Sequence, residues 1–555
     1  MKNKVQTDVF TEKQLNLAVK RREEGDYIGA LNVLRALISK NPDAEIYRET
    51  AKVYMDLDLI RTASGYWFKF LDTASEEDKA EAYNALGACF FLMDNYRLAG
   101  YYYDLQLTVA PDGEFDYLDE KLDYFDMISS PEEPDFYVSY PPKKMPSDKR
   151  IELAEKNLYL TGDKESLKLL KTVPETDQNY VGAQLRIAAY YAVNGDVKKA
   201  KTVINGLIEA FPDDTLPVIN MFVLLADTGN YKDAEKAYQA LEKCNLVTFE
   251  ECYKVATSCM NIGRDDLAIK YALKALDDYP YSVNGLFLAG AAEYNLGNKS
   301  QAEKYFITVY QLTDYPVAKY YIDRCRDEEP KLKRIGYEMH YPEKIMKRLV
   351  EKAIGYIHDR PKITERNLSG VLKVCDFIYS FHNNLQEELA LSLMEAKNER
   401  LENYFINLLM VNEIEEKVKF AVVYSLLMND REKTLSAVYS GLYFKFKISP
   451  LWTIDLGGKA SVIKRAHAYA TARMSAFYKT DFKKLSQSAK SVYEALNENG
   501  NLDKVEDISA LGAAMLVVSD SVYAKDTNFL ASYFGTKKTK INQTLKLIRC
   551  KNEDC

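Results

Sequence analysis

The chain has few residues equipped for catalysis. Its four histidines, His340, His358, His382 and His467, form no H-E-x-x-H arrangement and none stands at metal-ligand spacing from a cysteine. No G-x-S-x-G nucleophile turn occurs. The stretch Asp455-Leu456-Gly457-Gly458-Lys459-Ala460-Ser461 has the glycines and lysine of a phosphate loop, but it lacks the earlier glycine and carries an extra residue before the serine, so it reads as a turn before a helix starting near Ser461. Carboxylates number 82, too many to single out an acid and base pair. The eight cysteines (Cys89, Cys244, Cys252, Cys259, Cys325, Cys375, Cys550 and Cys555) include no C-x-x-C pair and read as small core residues of a reducing compartment. The expectation is a non-enzymatic protein with no catalytic residue, bound metal or cofactor.

Side chains able to read a partner are concentrated in the tail. In Phe529 to Ile548 (FLASYFGTKKTKINQTLKLI), Leu530, Phe534, Ile541 and Leu545 fall on one apolar side of two helices, Ala531 is small where they cross, and Gly535 takes the turn. The second helix would expose Lys537, Lys538, Thr539, Lys540, Asn542, Gln543 and Thr544; lysines meet phosphates, while Asn and Gln pair with base edges. With the small-residue helix Ile508 to Val518 and the helix Leu485 to Leu496 before it, the segment Asp481 to Arg549 resembles the later helices of a cyclin-like repeat of the transcription factor IIB type. A plain bacterial helix-turn-helix accounts for the same residues. Either resemblance implies DNA contact through Lys537, Lys538, Lys540, Asn542 and Gln543. A terminal helix pair capping an array needs the same small residue, glycine and polar face, so the capping reading stands beside it.

The elements that must position these residues are set by a repeat. Ala200, Ala234, Ala268 and Ala302 stand 34 residues apart, and Gly195, Gly229, Gly263 and Gly297 keep the same step. Each glycine ends a first helix in the left-handed conformation, and each alanine lets the second helix cross it closely. Pro212 and Pro280 close second helices. Upstream the pattern recurs with looser spacing around Ala18, Gly25 and Ala30, around Ala51, Ala63 and Trp67, and around Gly87, Ala99 and Pro111; a degenerate unit runs from Ala154 to Pro174 with Gly162-Asp163 at its turn. Over its first 330 or so residues the chain resembles the tetratricopeptide repeat family, whose unit is two antiparallel helices of this period. The fold class that this implies is all-α: a tetratricopeptide-repeat right-handed α-solenoid, then degenerate helical repeats, then a small C-terminal helical domain.

The first helices of the regular block offer a groove. Its candidate lining is Leu185, Ile219, Val223, Tyr253, Thr257, Phe287 and Tyr294, with Ala189, Ala192, Ala226, Met260 and Ala291 beside them. That set is apolar and lacks the lysine and asparagine clamp with which some family members hold a C-terminal carboxylate, so it points to an apolar peptide or helix as ligand. Asp112 to Arg150 breaks the repeat with an acidic, then proline-rich stretch and one short helix expected near Tyr117 to Phe125. It reads as a solvated linker, or else as a pseudo-ligand for the protein's own repeats. Beyond Glu329 helices are expected at Pro342 to Ile357, Asn367 to His382, Asn398 to Leu409 and Ile414 to Leu427, the last two weakly HEAT-like, with an extended segment at Tyr439 to Ser449.

Five regions result: repeats over 1–111, a linker over 112–150, repeats over 151–330, an irregular HEAT-like region over 331–454, and a helical domain over 455–555. A content of 47% hydrophobic residues excludes wholesale disorder, and a net charge of −8 opposes non-specific coating of nucleic acid. Without a membrane-length apolar run or a signal-peptide core, the expected location is cytoplasmic and no membrane partner is expected. The function expected is a protein-interaction scaffold or adaptor that holds an apolar peptide or helix in its concave groove. The alternative is a transcriptional regulator whose repeats sense a partner and whose tail binds DNA.

Overall fold

The computed structural model describes residues 9–129, 147–161, 164–327, 332–360, 362–380, 384–450 and 461–549. It is an all-α repeat protein: the described residues form 28 α-helices and one two-stranded hairpin. The N-terminal helices are α1 (Val9–Glu23), α2 (Tyr27–Lys40), α3 (Ala44–Asp56), α4 (Ile60–Thr73), α5 (Lys79–Leu92), α6 (Tyr96–Val109) and α7 (Leu118–Ser129). Next come α8 (Ser147–Thr161) and α9 (Lys164–Leu170), then the regular pairs α10 (Tyr180–Val193) with α11 (Val197–Ala210), α12 (Thr215–Asp227) with α13 (Tyr231–Leu241), α14 (Phe249–Asn261) with α15 (Asp265–Asp278), and α16 (Val283–Asn295) with α17 (Lys299–Thr313). α18 (Pro316–Arg326) ends that series. The remainder is α19 (Glu343–Asp359), α20 (Glu365–Tyr379), α21 (Gln386–Met394), α22 (Glu399–Leu408), α23 (Glu416–Met428), β1 (Lys433–Tyr439), β2 (Leu442–Ile448), α24 (Ser461–Met474), α25 (Phe482–Glu498), α26 (Ile508–Val518), α27 (Thr527–Tyr533) and α28 (Lys538–Arg549).

The 34-residue comb turns into geometry directly. Gly195, Gly229, Gly263 and Gly297 adopt φ of +81°, +72°, +81° and +89°, a region that costs other residues strain, and the space around each is open. Their role is therefore conformational rather than steric. Ala200, Ala234, Ala268 and Ala302 are completely buried at the crossings. Among the looser N-terminal pairs Gly25 (φ +78°) keeps the glycine between α1 and α2, but in the next two the left-handed turn residue is an aspartate, Asp58 between α3 and α4 and Asp94 between α5 and α6, both at φ +57°. Aspartate tolerates that conformation better than most side chains, which is why the glycine period fades there while the helix pairs persist.

The chain forms two compact units, each assembled from separated stretches. One comprises 23–32 and 127–341 and holds the four regular pairs. Its cores lie between consecutive helices, as in the cluster of Leu185, Ala188, Ala200, Ile204, Leu207 and Leu224. After α18 its chain carries no helix or strand over 332–341.

The other unit comprises 1–22, 33–126 and 342–555. Within it, Trp67, Phe68, Phe70, Tyr102 and Tyr103 fill the core of α3 to α6, and the acidic stretch after α6 folds onto these helices: Asn84 donates to the Asp116 carbonyl (2.6 Å), Tyr117 meets Trp67 edge-on (6.3 Å), and Phe125 lies 6.1 Å from Tyr103. Residues 130–146 of that stretch fall outside the described residues, as do Gly162-Asp163, 455–460, His382, Cys550 and Cys555.

The hairpin belongs to this unit. β1 pairs antiparallel with β2, from Lys433 opposite Ile448 to Tyr439 opposite Leu442, around Ser440 (φ +48°) and Gly441 (φ +80°). Two positive-φ residues in a two-residue turn match the right-handed twist of the strands. The extended segment expected at Tyr439 to Ser449 thus covers the turn and β2, while β1 lies upstream of it. The hairpin is held by residues more than 330 positions earlier: Asp72 accepts from Ser436 Oγ (2.6 Å), Tyr443 Oη (2.9 Å) and Lys445 Nζ (3.0 Å), and Tyr102 Oη donates to the Gly441 carbonyl (2.6 Å). From the other side the buried Lys419 ammonium donates to the Val438 carbonyl. α24 to α28 share a core built on Ile463, Leu485, Val492, Leu511, Met515, Phe534 and Ile541.

Candidate functional site: a backbone clamp on the central repeats

Asp227, Asn261 and Asn295 stand one period apart at the C-terminal ends of α12, α14 and α16. Because the period is structural, each occupies the same place on its helix pair, and the three form a polar ladder. Asn261 Nδ2 donates to Asp227 Oδ1 (3.0 Å), and Asn295 Nδ2 donates to Asp265 Oδ1 (2.9 Å) at the start of α15. The acidic Asp265 side chain is 8% exposed.

The segment 332–341 lies across this ladder. Asn295 holds the main chain of Ile335 at both polar atoms: the Ile335 N–H donates to Asn295 Oδ1 (2.8 Å), and Asn295 Nδ2 donates to the Ile335 carbonyl (2.9 Å). Tyr294 Oη donates to the Leu332 carbonyl (3.0 Å) and Tyr321 Oη to the His340 carbonyl (2.7 Å). Four hydrogen bonds therefore grip main-chain atoms. Side-chain recognition adds to them at two neighbouring residues. The Arg334 guanidinium forks onto Asp265 (2.5 and 2.9 Å) and donates a third bond to the Met260 carbonyl (2.6 Å), while Ile335 is buried at 1% exposure. Farther along, Tyr337 lies beside Asn261 and Asp227, and Tyr341 packs edge-on against Tyr320 (5.5 Å) before the unit ends. Burial, together with the nearby Tyr337 and Glu338, raises the Tyr253 phenol above its ordinary value.

Of the groove residues expected from sequence, Val223, Tyr253 and Thr257 are half-buried. Ile219 and Phe287 are not surface residues at all. Both are fully buried, and Phe287 is wedged between the rings of Phe306 on α17 and Tyr321 on α18, each 5.3 Å away. Leu185 is buried in the core it shares with Ala188 and Leu207. Tyr294 is buried apart from the bond its hydroxyl makes to the strap. The first-helix positions chosen as concave thus include the face turned into the neighbouring pair, because helical periodicity gives the apolar stripe but not which of two burial partners it meets. The residues that engage the main chain of the strap are Asn295, Tyr294 and Tyr321; Tyr294 was among the sequence candidates, and the i, i+34 recurrence of Asp227, Asn261 and Asn295 was a signal for Asn295.

In the tail, Gly535 takes φ +64° between α27 and α28, with Leu530, Phe534, Ile541 and Leu545 buried. Lys537, Lys538, Asn542 and Gln543 are exposed. Thr544, expected on the exposed face, is buried, and its hydroxyl donates to the Lys540 carbonyl (2.9 Å). Lys540 pairs with Asp507 (3.0 Å), the cap of α26. The face available to a partner is narrower than the sequence suggests.

Other polar groupings are structural. A cavity of about 330 Å³ opens beside α23, α24 and α26, but the Arg473 guanidinium on its wall lies over the rings of Phe420 (5.3 Å), Tyr469 (5.3 Å) and Tyr533 (5.8 Å) and donates to the Tyr533 carbonyl. His467 contacts Ser486 Oγ (3.0 Å), and burial of the imidazole, 1% exposed, holds its pKa down to about 4. Burial lowers Lys419 to about 8, with its ammonium committed to β1. No group of three His, Cys, Asp or Glu converges as a metal site among the described residues. The six cysteines among them are unpaired thiols. No helix among them is long and apolar enough to cross a membrane.

No family model matches the sequence, and no curated protein matches it. The solved structures to which the chain is similar include three tetratricopeptide-repeat proteins. One is the TPR2AB-domain:pHSP90 complex of yeast Sti1, at 11% identity over 57% of this chain and 96% of that one, with a TM-score of 0.19. A second is the TPR domain of P58(IPK), at 15% identity over 57% and 98%, with a TM-score of 0.22. Yeast Tom70 matches at 12% identity over 98% and 96%, with a TM-score of 0.19. The repeat architecture rests on the helix pairs themselves, with their glycine turns and alanine crossings.

Proposed function

We propose that the protein is a non-catalytic interaction scaffold whose central repeats hold a partner's chain segment across the polar ladder of Asp227, Asn261 and Asn295. The observation that carries this reading is the two-point grip of Asn295 on the N–H and the carbonyl of one residue, Ile335. A carboxamide that donates to a carbonyl and accepts from an N–H of the same residue recognises a main chain irrespective of its side chains, which is how peptide-binding surfaces generally obtain affinity before specificity. The ligand first expected, an apolar peptide or helix, gives way in this reading to a segment that leaves its main-chain groups available, since a helix has already paired them.

A photo-crosslinking residue at the half-buried Thr257, compared with one at the exposed Lys274 on α15, tests the proposal. Cross-links to partner proteins are expected from position 257 and not from 274, and Val223→Arg should remove them with helicity intact. Equal capture from both faces, or none from either, would overturn the reading. The alternative of a DNA-binding tail is supported by the exposed Lys537, Lys538, Asn542 and Gln543 alone, with Lys540 drawn to Asp507.

A further inference from the structure

We infer that residues 332–341 are a built-in competitor for the groove, and that the partner segment which displaces them carries an arginine followed by a branched aliphatic residue. The inference rests on the scaffold reading above and gives its site a specificity. What fills a recognition surface shows what the surface recognises. Here the occupant is tethered chain, Leu332-Lys333-Arg334-Ile335-Gly336-Tyr337-Glu338-Met339-His340-Tyr341, with no helix or strand of its own. Every element of a peptide complex is present: main-chain bonds to Asn295, Tyr294 and Tyr321, one charged fork at Asp265, and one apolar anchor at Ile335.

The grip is displaceable. The Arg334 side chain is 44% exposed, so its pairing with Asp265 is open to exchange with another cation. Ile335 and Tyr341 are the two buried side chains of the segment, and a stretch with few apolar anchors opens at low free energy. Asp265 supplies the selectivity: it sits 8% exposed with Asn295 as its other partner, so a ligand lacking a cation at this place would leave a desolvated carboxylate without its counter-charge. Tethering makes the segment an effective competitor at any protein concentration, and the groove's apparent affinity for a partner falls by the fraction of time it is covered.

The test uses the full chain and a fluorescent decapeptide of sequence LKRIGYEMHY, with a control peptide in which the arginine and isoleucine are alanine. The Arg334→Ala, Ile335→Ser double variant should bind the decapeptide at least about tenfold more tightly than the parent does, as expected for removing a covering segment. The control peptide should bind neither protein. Adding Asp265→Asn should return the opened variant to the parent's weak binding. If the double variant loses helicity, Ile335→Ala alone carries the same expectation with a smaller gain. Equal binding by parent and opened variant, or binding of the control peptide as well, would overturn the inference. Dimerisation of the opened variant that the decapeptide does not reverse would also overturn it, since the occupant would then be a second copy held elsewhere. A partner that cross-links at Thr257 while 332–341 stays protected from hydrogen exchange would sink the competitor and leave the scaffold reading standing.

Discussion

Asn295→Ala should unlatch the strap without unfolding the repeats. Three bonds disappear together: the two to the main chain of Ile335 and the one to Asp265. Because Ile335 is buried, its N–H is left without a partner, which costs about 1–3 kcal/mol; the bond to its carbonyl adds about 0.5–1.5 kcal/mol. The substitution falls on the last residue of α16, where alanine's better helix propensity returns a few tenths of a kcal/mol. The net loss is about 1–4 kcal/mol, borne by the segment rather than by the helices. At about 1.4 kcal/mol per factor of ten, the open population of 332–341 rises roughly 5- to 1000-fold. Amide hydrogen exchange read by mass spectrometry in the full chain measures this directly, since protection of a locally opening segment tracks its opening free energy. The expected result is accelerated exchange over 332–341, with α10, α12 and the interior of α14 unchanged. Protection over 332–341 within threefold of the parent would refute the clamp. Equal acceleration throughout α14 to α17 would show that Asn295 serves the repeat core.

Further outcomes test the other elements. Ala268→Leu forces three further carbon atoms into a completely buried crossing, and should cost about 1–3 kcal/mol by overpacking, seen as a lower urea midpoint; an unchanged midpoint would mean that the crossing is elsewhere. Asp72 should give stability a pH dependence. Burial pushes its carboxyl up, but the hydrogen bonds from Ser436, Lys445 and Tyr443 outweigh this and hold it below the ordinary value near 3.8. A depressed folded pKa stabilises fully above the unfolded value and is lost as pH falls through the folded one. Asp72→Asn should therefore be less stable than the parent at pH 7, with the gap closing below about pH 4; a gap constant from pH 3 to 7, followed by fluorescence of the nearby Trp67, would exclude that role. For the tail, the full chain should show no binding to duplex DNA that weakens with salt and is removed by Lys537→Ala with Lys538→Ala. Such binding would favour the regulator over the scaffold.

The repeat was legible because it is local. A glycine at +80° or so and an alanine at a crossing are requirements within one helix pair, satisfied by residues a few positions apart, so Gly195 to Gly297 and Ala200 to Ala302 record the architecture in their spacing. Where Asp58 and Asp94 meet the same conformational demand with a different side chain, the spacing signal weakens and the structure does not. The tail helices and their buried side followed from periodicity too, but not the commitment of Lys540 to Asp507 or the burial of Thr544, since both depend on α26 and the core around it. The groove was only partly readable. Periodicity placed Ile219 and Phe287 on an apolar stripe, and the neighbouring pair then covered that stripe. The missed ladder of Asp227, Asn261 and Asn295 was present in the sequence as a period, yet its meaning depended on what lay across it.

The sequence by itself determined the helix pairs and their turns, both properties of side chains and their near neighbours. Tertiary structure alone decided that Asp72 would meet Ser436, Tyr443 and Lys445, and that Arg334 and Ile335 would return to Asp265 and Asn295. The physical reason is common to both. Such contacts join residues from about 40 to more than 360 positions apart through polar groups whose partners no period names, and their geometry exists only once packing has brought the distant helices together.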